Sequence, residues 1–207
     1  MGFLCKLRIH FLQLYKVVGR GKSAMEFDKS LIQKLKENDR PAQEAFYRYF
    51  APKMFGVCLR FAIDSAEAED MMQEGFIRVF RYIGDYRGDG SFEGWVRRTM
   101  VNTAINIYKR RVKRSFTTPL EYAGSASGFE PTIIEQMSAD ELLEIIKELP
   151  PGYRMIFNLN IIEGYTHKEI GKMLGISENT SKSQLSRARL AIQKKLEEIK
   201  RKENLEG

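Results

Sequence analysis

The sequence predicts an all-α fold of two small helical domains joined by a flexible linker, the C-terminal one containing a helix-turn-helix. Three observations predict it. Apolar residues recur every three or four positions on both sides of residues 115–136, the period of helices with one buried face. Within 115–136 the period is lost, and Pro, Gly and Ser interrupt the run SFTTPLEYAGSASGFEPTIIEQ. From Gly164 to Leu196 a short apolar-faced segment, a glycine and a second such segment follow closely. The expected divisions are an extension over 1–24, a first domain over 25–114, the linker over 115–136 and a second domain over 137–207.

The chain has 207 residues, 43% of them hydrophobic, enough for one or two domains with a core. A net charge of +7 favours a polyanionic partner, which composition alone leaves open between nucleic acid and an anionic membrane surface. Cys5 and Cys58 are the only cysteines and form no CxxC, which argues against a disulfide framework or zinc site and fits a reducing, cytoplasmic setting. There is no cluster of metal-ligand residue types, no phosphate-binding glycine loop and no serine-nucleophile motif. No catalytic residue, metal, cofactor or small-molecule substrate is therefore expected.

Residues 1–24 mix apolar residues with Lys6, Arg8, His10 and Lys16, so no run is long enough for a membrane span or a signal peptide. They read either as a basic amphipathic surface helix or as an extension upstream of a start at Met25, and the second reading is preferred because the first domain begins cleanly after it. From Glu26 to Arg114 the chain reads as helical. One helix or kinked pair runs from about Pro41 to Phe61, with Phe46, Phe50, Met54, Val57 and Phe61 on one stripe and Pro52 expected to bend or restart it. After a turn at Ile63–Ser65, a helix from about Ala66 to Tyr82 carries Met72, Phe76, Val79 and Phe80 as its core face. The glycine-rich loop DYRGDGS (85–91) leads to a helix capped by Ser91 and running to about Arg111.

The linker is acidic in character: between Arg114 and Lys147 there are six acids and no Lys or Arg. Ser138 is expected to cap a helix from Ala139 to about Leu149, stopped by Pro150–Pro151. A helix from Tyr153 to about Glu163 uses Ile156, Leu159 and Ile162. The helix-turn-helix follows. Its first helix starts near Thr166 with Ile170, Met173 and Leu174 inward; Gly175 ends it and Ser177 caps the second. The second helix buries Leu185, Ala188, Ile192 and Leu196. Its other side offers Asn179, Thr180, Lys182, Ser183, Ser186, Arg187 and, nearby, Arg189, phosphate neutralisers and short hydrogen-bonding groups suited to a major groove. A helical hairpin with a solvated basic face would look similar.

Two further groups carry chemistry. Trp95, Arg98, Asn102, Asn106 and Lys109 fall on one stripe of the helix from Phe92, and Val96–Arg114, including Arg110, has seven Lys or Arg and no acid. An aromatic plane, cations and amides along one surface suit single-stranded nucleic acid, although Trp95 taken alone fits a core residue equally well. On the helix at 66–82, Asp70, Gln73, Glu74 and Ile77 face away from the core stripe, and an exposed Ile among polar groups suits a protein partner.

The stretches AEDMMQEGFIRVF (68–80), FEGWVRRTMVNTAINIYKRR (92–111) and GYTHKEIGKMLGISENTSKSQLSRAR (164–189), in this order, resemble the sigma factors of bacterial RNA polymerase, and most closely their extracytoplasmic-function (ECF) group within the sigma-70 family. The resemblance covers about 25–114 and 139–196. It implies that Asp70, Gln73, Glu74 and Ile77 dock on the polymerase core (its beta and beta-prime subunits). It implies that Trp95, Arg98, Asn102, Asn106, Lys109 and Arg110 read and melt the minus-ten element, with Asn102 lining a pocket for an unpaired base and the loop at 85–91 beside it. The second helix of the helix-turn-helix would read the minus-thirty-five duplex, the linker would thread polymerase channels, and an anti-sigma factor would be a further partner. Three departures from the family pattern stand out: Asn106 where Asp is common, Ser181 where Val is common, expected to loosen the turn, and Gln184 where Arg is common, expected to remove a phosphate contact. The competing reading is a helix-turn-helix regulator that acts without replacing the sigma subunit; a DNA-processing enzyme such as a recombinase lacks a nucleophile or carboxylate cluster here.

Overall fold

Every regular element is helical among the residues described, 29–114 and 139–206 of the computed structural model. The extension over 1–24, the linker over 115–136 and the Ser138 cap lie outside these residues. The described chain divides after Arg114 into two compact units.

In the first unit, α1 (Lys29–Lys36) precedes α2 (Arg40–Leu59). The Asp39 carboxylate accepts the Ala42 amide at 2.8 Å and starts α2, with Pro41 in the first turn, where no amide is missed. Pro52 does not restart the helix: α2 runs unbroken to Leu59. Phe46, Phe50, Met54 and Val57 hold both halves against one core, while Pro52 is exposed, so the carbonyl left without a donor lies on the watered side. Phe61 is buried just beyond the helix end.

Asp64 caps α3 (Ser65–Tyr82) by accepting the Glu67 amide at 2.8 Å, and Glu67 in return accepts the Ile63 amide at 2.7 Å. The core face expected here needs revision. Met72, Phe76 and Val79 are buried, but Phe80 is only half-buried, and Ala68, Met71 and Gly75 are buried as well. The cause is position: α3 packs against α2 on one side and against α4 (Phe92–Arg114) on the other. A side chain at Gly75 would put its Cβ 2.1 Å from Met100 Sδ of α4, so this glycine permits the close approach. A 3-10 turn at Ile83–Asp85 leads into the loop before α4.

The second unit starts with α5 (Ala139–Glu148) and α6 (Pro151–Phe157). The proline pair that ends α5 also starts α6, with Pro151 at a first-turn position. Buried Arg154 donates its Nη2 to the carbonyls of Lys147 and Leu149, satisfying the open end of α5. The expected helix to Glu163 widens into a π-helical segment at Asn158–Ile162, and Ile156, Leu159 and Ile162 are buried along it. Then come α7 (His167–Leu174) and α8 (Glu178–Glu206). Thr166 and Glu169 cap α7 reciprocally. Gly175 ends it at φ 74°, and Ser177 Oγ accepts the Thr180 amide at 2.9 Å to start α8. Leu185, Ala188, Ile192 and Leu196 are buried as expected, and Ile170 is fully buried, whereas Met173 and Leu174 are half-buried. Among the described residues no helix is long and apolar enough to cross a membrane, and no group of His, Cys, Asp and Glu could hold a metal ion.

Candidate nucleic-acid interface

The Ser91 hydroxyl accepts the Gly94 amide at 3.0 Å and sets the start of α4. From there the helical period separates two faces. Val96, Met100, Thr103, Ala104 and Ile105 are buried. Arg98, Asn102, Asn106 and Lys109 are exposed along the other side, so the expected polar stripe is open to solvent. Trp95 heads it and is half-buried. Its ring lies parallel to Phe92 (6.1 Å between centroids, 7° between planes) and is flanked by Tyr86 at 5.7 Å. Trp95 is thus an aromatic surface backed by other rings, the arrangement on which a base can stack. The spacing of Phe92 and Trp95 by three residues carried that signal; Tyr86, in the loop, carried none.

The loop itself is tied down. Tyr86 donates its hydroxyl to the Gly90 carbonyl at 2.9 Å, and Lys36 of α1 donates to the Tyr86 carbonyl at 2.9 Å.

On the outer side of α3, Asp70, Gln73 and Ile77 are exposed, Ile77 by 58%. Glu74 is half-buried and engaged: its two oxygens accept from Arg78 at 2.7 Å and from Arg110 at 2.6 Å. Two groups read from the sequence as meeting different partners are therefore joined by an ion pair. Arg111 likewise pairs with Glu67, at 3.0 and 3.2 Å. The cations of α4 thus divide: Arg98 and Lys109 lie on the exposed stripe, while Arg110 and Arg111 neutralise acids of α3.

On α8, Asn179, Lys182 and Ser183 are exposed, and Lys182 pairs with Glu178 at 2.6 Å. Thr180 is half-buried, its hydroxyl 2.8 Å from that of Ser177, so it serves the helix start. Ser186 and Arg187 are half-buried. Arg189 turns partly inward: its Nε is buried without a hydrogen-bond partner among the described residues, and burial lowers its pKa. Ser181 is 0% exposed and its Oγ lies 2.9 Å from His167 Nδ1, so a hydrogen bond ties the first turn of α7 to α8 at the position where the sequence suggests a looser turn. Gly171 tightens the same junction, because a Cβ there would lie 2.8 Å from the Ile176 carbonyl oxygen.

Residues 46–114 match the family described as Sigma-70 region 2, and residues 139–192 match Sigma-70, region 4. The RNA polymerase sigma-H factor of Pseudomonas aeruginosa is 30% identical over 188 residues, spanning 85% of this chain and 97% of that protein. The chain belongs to the sigma-70 family. Within it, this sigma factor is a member of the ECF group. The ECF RNA polymerase sigma-E factor of Escherichia coli is 28% identical to it, over 84% of this chain and 97% of that protein. Among solved structures, the sigma factor RpoE in complex with the anti-sigma factor NepR from Bartonella quintana aligns with a TM-score of 0.46 and 15% identity, over 74% of this chain and 96% of that one. As a sigma factor the chain directs the RNA polymerase core to promoters for transcription initiation, and its partners are core polymerase and promoter DNA. A regulator that leaves the sigma subunit in place is not favoured.

Proposed function

We propose a division of that work among the helices. The exposed stripe of α4, Arg98, Asn102, Asn106 and Lys109 with Trp95 at its head, receives the melted minus-ten strand. The outer face of α3, through Asp70, Gln73, Glu74 and Ile77, docks on the polymerase core. The exposed side of α8, through Asn179, Lys182 and Ser183 with Ser186 and Arg187 beside them, enters the major groove at the minus-thirty-five element. Residues 25–114 thus serve docking and melting, 137–207 serve duplex recognition, and 115–136 span the distance between them. The sigma factor works in the cytoplasm, where polymerase is, and makes no bond itself. An anti-sigma protein is a further partner that the family resemblance implies.

One observation carries this reading: the polar stripe is continuous, solvent-exposed and headed by a ring-backed tryptophan. Cations alone would serve any polyanion, but amides and a half-exposed aromatic ring suit unpaired bases. Extruding a base costs about a few kcal/mol of stacking and pairing, which contacts to the freed base must offset. Asn102→Ala in a reconstituted holoenzyme should therefore reduce promoter opening by about tenfold or more, read by permanganate reactivity of unpaired thymines, with core binding retained. Unchanged opening would remove Asn102 from the strand-receiving surface.

A further inference from the structure

We propose that Lys36 of α1 is a positioning residue that sets the base preference of the minus-ten surface. This rests on the reading of α4 and its leading loop as the place where the melted strand is received.

Lys36 sits in the last turn of α1. Leu35 beside it is buried in the core. Beyond the helix end, Asn38 has a left-handed φ of 61°, and the Asp39 amide donates back to the Lys34 carbonyl at 3.0 Å. This end of the chain packs on the 3-10 turn Ile83–Asp85. From there Lys36 Nζ reaches the carbonyl of Tyr86, fifty residues along the sequence, at 2.9 Å. A cation donating to a partly buried carbonyl is a charge-assisted bond, stronger than a neutral one.

Tyr86 is held at three points. Lys36 holds its carbonyl, Phe92 and Trp95 pack on its ring at 5.1 and 5.7 Å, and its hydroxyl donates to Gly90 at 2.9 Å. Residues 86–90 thus form a loop pinned at both ends. Gly88 and Gly90 have φ of 88° and 90° and resist no rotation of their own, so the conformation is imposed by these contacts. The Tyr86 ring borders Trp95 and so forms one wall of the space where an extruded base would stack. Releasing the Tyr86 carbonyl frees that wall to move and blurs the discrimination between bases. Lys36 therefore acts on the strand without touching it.

The test uses the full chain with core polymerase on a promoter library randomised across the minus-ten element, reading base preference at each position. Lys36→Met is expected to reduce the preference at one position by about tenfold or more, the lower end of what a charge-assisted hydrogen bond commands, with core affinity and the other positions unchanged. Lys36→Arg, which keeps the donor, is expected to restore it. Tyr86→Phe keeps the ring and loses the closure to Gly90, and is expected to weaken the same position. An unaltered profile in Lys36→Met, a uniform loss at every position, or no recovery in Lys36→Arg overturns the proposal. Asn102→Ala separates the two levels. If it flattens the profile while Lys36→Met does not, Lys36 alone is excluded. If both leave the profile intact, α4 is not the base-reading surface and the proposal falls with it.

Discussion

Arg110 Nη2 donates to Glu74 Oε2 at 2.6 Å, joining α4 to α3 across thirty-six residues of sequence. Arg78 occupies the other carboxylate oxygen at 2.7 Å. Partial burial works to raise the Glu74 pKa, but the two guanidinium hydrogen bonds outweigh it and hold the carboxyl below its ordinary value. Arg110 is more than half exposed, so the pair contributes only about 0.2–1 kcal/mol to stability. Its consequence is the allocation of charge, because Arg110 is already neutralised before any DNA arrives.

The two arginines should therefore differ in salt dependence. Arg98→Ala should lower the slope of log affinity against log salt by about 0.7 for a single-stranded minus-ten fragment bound to holoenzyme. Arg110→Ala should lower it by clearly less, since a phosphate would have to displace Glu74. Equal slopes for the two variants would return Arg110 to the DNA surface.

Ser181→Val should destabilise the C-terminal unit although valine is common at this position in the family. Ser181 is fully buried, and its hydroxyl is the partner of His167 Nδ1. Removing it takes this partner from a ring only partly buried, at a cost of about 0.5–1.5 kcal/mol, measurable by urea unfolding. A gain in stability would show that the apolar contact outweighs the hydrogen bond.

The same junction should respond to pH. Burial first, then the Lys182 and Arg189 charges, hold the His167 pKa below 6.5, against an opposing pull from Glu178. Between the folded and unfolded values the unfolded chain binds more protons, so stability is full above about 6.5 and is lost as pH falls through the folded value. Glu169 and Glu178 stay ionised over this window, held low by hydrogen bonds from Thr166 and from Lys182 respectively. Melting of the wild-type chain should fall between pH 7.5 and 5 more steeply than that of His167→Asn. Parallel curves would dissociate His167 from the effect.

Gly171→Ala should weaken both stability and duplex binding. The added Cβ would meet the Ile176 carbonyl at 2.8 Å, and because this is backbone it cannot rotate away. Overpacking of this kind costs about 1–3 kcal/mol, and the displaced turn would tilt α8 in the groove. Thermal melting and binding to a minus-thirty-five duplex together check this, and an unchanged melting temperature refutes it.

Local features were legible in the sequence, and contacts between distant residues were not. The caps at Ser91 and Ser177 and the break at Gly175 depend on neighbours within four residues, so their chemistry is written in short stretches. The α2 stripe from Phe46 to Val57 was legible because that helix shows one face to one core. On α3 the same reasoning missed Met71 and Gly75, since a helix packed against two others that also touch each other buries a stripe wider than one neighbour would require. Pro52 does not interrupt α2, because it lies on the exposed side while Phe46, Phe50, Met54 and Val57 hold both halves to the core. The spacing of Ser181 to Leu185, Ala188 and Ile192 matches the buried face, but its bond to His167, fourteen residues earlier, was not written in that period. Glu74 with Arg110, and Lys36 with Tyr86, are brought together only by the tertiary fold.

Gly75 gives the last consequence. With no side chain there, α3 lies so close to α4 that an added Cβ would fall 2.1 Å from Met100 Sδ and force that side chain to move. Under the proposed roles, the part gripped by the enzyme and the part that handles the open strand lie on two helices packed directly on each other and bridged by the Glu74–Arg110 ion pair, with no joint between them. Alignment of the strand is then inherited from docking, in the way a gauge inherits its zero from the block it is clamped to. A widened gap at this glycine would appear as drift in where transcripts begin, before any loss in how tightly either partner is held.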